Sequence, residues 1–149
     1  MLGRVLAIDI GSKRVGLAIS DEMRLSVRTL PPLPRTPWKR LLGSLADLCK
    51  KFDVRSIVLG LPLRLDGSEG DAAHDARRIA HNLELSLKLP LFLQDERLTS
   101  KDAETALRGD GLNVAEIATR IDSEAASIIL CDFLSSQGEE LAQTDAAQE

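Results

Sequence analysis

Two apolar runs, Leu6 to Ile10 and Val15 to Ser20, lie four residues apart in "RVLAIDIGSKRVGLAISD". Runs this apolar form strands buried on both faces of a sheet, not strands with one wet face. Gly11-Ser12-Lys13-Arg14 is a link short enough to demand a tight hairpin, with Gly11 free to take unusual backbone angles. A chain with such a hairpin must cover both faces of its sheet with other elements. The hairpin also holds an anomaly. Asp9 stands among Leu6, Ala7, Ile8 and Ile10, where a carboxylate is costly unless something meets its charge.

The remaining pattern supplies the cover. A third, poorer strand is expected over Leu25 to Leu30, before the Pro-rich "PPLPRTP" breaks the pattern. Thr36 then caps a helix with Pro37 at its first position. Trp38, Leu41, Leu42, Leu45, Leu48, Cys49 and Phe52 form its apolar stripe. "SIVLGL", Ser56 to Leu61, is a fourth strand opening into the glycine loop "PLRLDGSEGD". A helix follows from about Asp71 to Leu87, with Ala72, Ala76, Ile79, Ala80, Leu83 and Leu87 on one side. A short strand covers Leu91 to about Gln94. A helix is expected from near Thr99 to Gly109, and a last one from near Asn113 to Ser135. The order β β β α β α β α α predicts an α/β fold with a mixed five-stranded sheet. Its first three strands are antiparallel, the fourth and fifth parallel, and helices lie on both faces.

The chain's 149 residues, 44% hydrophobic, suit one domain with a full core. Its expected extent is 1–136, with an acidic, flexible tail over 137–149. No apolar run approaches the roughly 18 residues of a membrane span, and a strand that begins by Arg4 leaves no room for a signal peptide. Cys49 and Cys131 have neither CxxC nor metal spacing, and read as buried free thiols of a reducing cytosol. The expectation is a cytoplasmic protein with no membrane partner. Net charge is −4, but "SSQGEELAQTDAAQE" after Leu134 carries four acids and no base. Without it the body is neutral, so charge leaves the partner open.

Three acids stand where a lone carboxylate makes little sense. Asp9 is near the carboxyl end of the first strand, where sites of parallel sheets gather. Glu96 follows the fifth strand directly, with Asp95 before it. Adjacent strand-end residues point to opposite sides, so one of the two reaches the rim. In the last helix, steps of about 100° per residue align Asp122 with Ala126, Ile129 and Phe133 and turn Glu124 away. A divalent metal is the simplest common counter-charge for Asp9, Glu96 and Asp122. Mg²⁺ and Mn²⁺ take hard oxygen ligands, and two such ions about 4 Å apart serve phosphodiester hydrolysis.

"AIDIGSKRVGLAISD", "IVLGLPLRLDGSEG", "QDERLTS" and "IDSEAASIILCDFL" together resemble the YqgF family, also called the RuvX-like or pre-16S rRNA nuclease family. The resemblance runs from about Val5 to Leu134. It implies a ribonuclease H-like fold related to Holliday junction resolvases, and a metal-dependent nuclease maturing the 5′ end of 16S rRNA. The family's acidic residues fall on Asp9, Glu96 and Asp122, which makes these three both catalytic and metal-binding. Basic residues near the same blocks are the phosphate contacts expected: Lys13, Arg14, Arg64, Arg97 and Lys101.

Other functions compete. The same chemistry on branched DNA gives a Holliday junction resolvase-like endonuclease. A ribosome- or transcription-associated binding protein would have no use for three buried carboxylates. An actin-like phosphotransferase, suggested by "DIGS" before a hairpin, needs two similar domains, for which the chain is too short.

Overall fold

The computed structural model describes residues 2–96 and 124–136. Strands β1 (Arg4–Ile10), β2 (Arg14–Ser20) and β3 (Val27–Pro34) are followed by helix α1 (Trp38–Lys51), strand β4 (Val54–Leu61), helix α2 (Asp71–Leu87) and strand β5 (Leu91–Asp95). Residues 124–136 are helical. The sheet order is β3-β2-β1-β4-β5. β1 pairs antiparallel with β2, and β2 with β3, while β1–β4 and β4–β5 are parallel.

The two faces of the sheet bury separate clusters. Leu6 and Ile8 of β1 point to α1 and α2, where they meet Leu41, Leu45, Ala76, Ile79 and Leu83. Val5 and Ala7 point the other way, onto Ala126, Ile129, Leu130 and Phe133 of the helix over 124–136. This is the period-two alternation of a central strand with both sides covered. Phe92 of β5 packs on Phe133 with the rings tilted by 40° and their centroids 5.2 Å apart, and so ties that helix to the sheet margin. Among the described residues no helix is long and apolar enough to cross a membrane.

Several boundaries differ from expectation. β3 starts and ends later than Leu25 to Leu30 and continues through Pro31, Pro32 and Pro34. It can do so because it is an edge strand, where an absent N–H breaks no ladder, and because its register with β2 shifts between Val15 and Leu17, opposite the two adjacent prolines. Pro37, not Thr36, is the N-cap of α1, and no side chain bonds that end. α2 has the expected bounds, but Ala73 is buried and Ala72 is exposed. Cys131 is exposed and Cys49 only partly buried, so neither is the buried thiol expected. Cys131 falls on the outer side of its helix, opposite Ile129 and Phe133. The helix expected over Thr99 to Gly109, the start of the last helix from Asn113 and the tail over 137–149 lie outside the described residues.

Candidate active site

Because β1, β4 and β5 run parallel, their carboxyl ends share one rim. Asp9, next to last in β1, continues the Val5, Ala7 series and so faces the helix over 124–136. It is 7% exposed, and its partner across the hairpin is Gly16, which puts no side chain beside it. Glu96 arrives from the other side. Its backbone N–H donates to the Leu61 carbonyl at 3.2 Å, adding one rung to the β4–β5 ladder and fixing the residue against the end of β4.

There the Glu96 carboxyl group meets Asp9 in a hydrogen bond. Burial, then the Asp9 charge and that hydrogen bond, push the Glu96 carboxyl up to about 9, with a smaller push from Asp95. Two carboxylates so placed do not both ionise without a counter-charge. The space they use is left by Gly60. A Cβ built there would overlap the Glu96 carboxylate and stand 2.7 Å from Ile129 Cδ1. Gly60 therefore permits the close approach of acid, strand and helix, which no other residue type could do without displacing one of them.

The raised Glu96 gives a pH dependence with a definite sign. A folded state that holds a proton more tightly than the unfolded chain is stabilised by it below the ordinary carboxylate range. That stabilisation is lost as pH rises through the folded value. In EDTA the melting temperature should fall between about pH 5 and about pH 9, and Glu96→Gln should flatten the slope. Mg²⁺ or Mn²⁺ binding to the pair must release the proton, so metal-induced stabilisation should grow with pH. A melting temperature that is level or rising across that range in EDTA would contradict the shared-proton pair.

The donors fit a hard divalent ion: carboxylate oxygens, already in contact, buried, and mutually repulsive once ionised. Among the described residues no group of three His, Cys, Asp or Glu is poised for a metal. The expected third acid, Asp122, lies outside them, as do Arg97 and Lys101. Lys13 is exposed in the hairpin, where its carbonyl accepts from the Arg35 N–H at 3.0 Å. Arg14 is half-buried and opens β2 at the same rim. Arg64 is exposed and closes the glycine loop, donating its N–H to the Ser68 carbonyl at 2.9 Å. Its guanidinium lies over Gly70, the N-cap of α2.

One rim residue escaped the sequence reading. A cleft of about 150 Å³ is lined by Ile10, Gly60, Pro62, Asp75, Glu96 and Arg35. Arg35 is clamped there by the Gly11 carbonyl and the Asp75 carboxylate, each at 3.0 Å. It stands in "PPLPRTP", which reads as a pattern breaker; only the continuation of β3 to Pro34 brings it to the rim.

The family model described as Holliday junction resolvase, RuvX, matches residues 3–136. The chain belongs to the RuvX family. A protein of Syntrophus aciditrophicus (strain SB), named "Putative pre-16S rRNA nuclease", is 38% identical over 143 residues, which is 96% of this chain and 95% of that one. One of the same name from Anaeromyxobacter sp. (strain K) is 40% identical over 131 residues, covering 88% and 96%. Among solved structures, Thermus thermophilus RuvC in complex with Holliday junction substrate is similar at a TM-score of 0.56 and 16% identity, covering 91% of this chain and 96% of that one. The fowlpox virus Holliday junction resolvase is similar at 0.53 and 15% identity, covering 89% and 99%. The RuvX-family chain thus has the ribonuclease H-like fold, with the Asp9–Glu96 contact at the carboxyl rim of its sheet.

Proposed function

We propose that this RuvX-family protein is a divalent-metal-dependent nuclease that hydrolyses phosphodiester bonds in processing the 5′ end of precursor 16S rRNA. The observation that carries the reading is the pair of buried Asp9 and partly buried Glu96, held in contact where Gly60 leaves room. Two carboxylates kept together, one of them buried, serve no packing purpose and suit a shared cation. Asp122, four residues before Ala126 and seven before Ile129 in sequence, is the proposed third ligand and catalytic acid. Asp9, Glu96 and Asp122 would hold Mg²⁺ or Mn²⁺. When bound, such an ion lowers the pKa of water and neutralises charge on the phosphate. The chain's part is to give up the shared proton, hold the acids at the rim and bind phosphate through Lys13, Arg14, Arg64, Arg97, Lys101 and Arg35. The acting unit is the domain over 1–136, with the acidic tail outside it, in a cytoplasmic setting and in association with the ribosomal subunit.

A second reading, a resolvase-like endonuclease on branched DNA, is favoured by the description of the matching family and by the similarity to resolvases. One experiment separates them: incubation with precursor 16S rRNA and with a four-way DNA junction, each in Mg²⁺, Mn²⁺ and EDTA. Metal-dependent cutting of the RNA alone is the expected result. Cutting of the junction alone would replace this reading with the second, and cutting of neither would overturn both.

A further inference from the structure

The chain is acidic, yet residues 24–55 hold eight Lys and Arg against two acids, Asp47 and Asp53. That leaves eleven of the 19 basic and 21 of the 23 acidic residues for the rest of the chain. The segment is β3, α1 and the start of β4, so this concentration of charge lies on one edge and one helix of the fold.

Five of its eight cations have no ion pair among the described residues. Arg77, Arg78, Arg35 and Arg55 are paired with Glu69, Asp75 and Asp53. Arg28, Lys39, Arg40, Lys50 and Lys51, all exposed, have no ion pair among the described residues, and neither does Arg4. Three of them converge on one ring: Arg28, Lys51 and Arg4 stand 5.3, 5.4 and 5.6 Å from the centroid of Phe52. Cation–π contact offsets part of their mutual repulsion. It leaves the Arg4 Nε–H buried with no acceptor. Beside it, a hollow of about 140 Å³ opens between Arg4, Arg28, Ser20 and Ser26. Asp21 also lines it, with one oxygen taken by the Leu25 and Ser26 N–H groups at 2.7 and 2.9 Å. Lys50 and Lys51 suit the carboxyl end of α1 in any case, but that does not account for Arg4, Arg28, Lys39 or Arg40.

The placement is directional. α1 begins three residues after Arg35, at the cleft, and its 14 residues run about 21 Å to Phe52. Lys39 and Arg40 lie at the cleft end, and Lys50, Lys51, Arg28 and Arg4 at the far end. We infer that the outer surface of β3 and α1 is a track for the sugar-phosphate backbone of the substrate, leading from the cleft lined by Arg35 and Glu96 to the cation cluster on Phe52. This rests on the nuclease reading above and adds where the substrate lies. Phosphate oxygens supply the acceptors that the cluster lacks, and binding there is independent of base sequence.

The test is binding of the full chain in EDTA to a labelled precursor 16S 5′-end RNA and to a four-way DNA junction, by fluorescence anisotropy over a salt series. Arg28→Gln/Lys51→Gln and Lys39→Gln/Arg40→Gln should each weaken binding about tenfold at low salt. Each should also reduce the slope of log K against log salt by about 1.4 for two single-strand phosphate contacts. Arg77→Gln/Lys88→Gln removes the same charge elsewhere and should bind as the unaltered protein does. Arg28→Lys/Lys51→Arg should bind normally, separating charge from packing on Phe52. The arm with the larger loss identifies which nucleic acid uses the track. Track variants that bind and cut like the unaltered protein overturn the track while the nuclease reading stands. An unaltered protein that neither binds nor cuts either substrate overturns both.

Discussion

Asp9→Asn should abolish metal-dependent cleavage, by several powers of ten, and leave the fold intact. Asn has nearly the same shape and can hydrogen-bond to Glu96 in place of Asp9, so the packing of β1 against the helix over 124–136 is kept. What disappears is the negative charge that a divalent ion needs at the centre of the site. The same loss removes a charge from a position only 7% exposed, so the metal-free variant should melt at a higher temperature than the unaltered protein. It should also gain less from Mg²⁺. Cleavage and melting curves in EDTA and in Mn²⁺ check both halves. Undiminished cutting by Asp9→Asn in Mn²⁺ would remove the rim from consideration as the active site.

The second large effect separates two acids two residues apart. Asp122→Asn is expected to lose activity by a similar factor, because Asp122 is in phase with Ala126, Ile129 and Phe133. All three of these are buried, and all three pack on the sheet face that carries Asp9. Glu124→Gln should cut nearly normally and change stability by about 1 kcal/mol or less. Both substitutions remove one negative charge from the same neighbourhood, so net charge cannot explain a difference between them. An inactive Glu124→Gln beside an active Asp122→Asn would make Glu124 the third acid in place of Asp122.

Sequence periodicity read the interior of the fold well and its margins less well. The apolar runs of β1, β2 and β4 have no alternative to a doubly covered sheet, and the stripe in α2 is regular enough to give both its ends. β3 was cut short because proline is a breaker only where its missing N–H is needed, and a local pattern does not say which strand is at the edge. The outward wheel position of Glu124 agreed only in part, since the residue is half-buried. Asp9 and Glu96 were legible because a carboxylate inside or just after an apolar run is conspicuous. Arg35 was not, since its role depends on a neighbour forty residues away, Asp75, and on a strand end that the sequence misplaces. Nor was Gly60, whose importance is the side chain it lacks.

The proline-bearing edge has a consequence for how the molecule keeps to itself. An exposed sheet edge normally offers a row of donors and acceptors on which a second copy can add a strand. Pro31, Pro32 and Pro34 remove three backbone N–H groups within four residues, thinning the row of donors on the outer side, and Arg28 adds a charge at the other end of the same strand. β3 is therefore a poor template for sheet extension. Its edge can remain bare at high protein concentration without seeding edge-to-edge aggregation.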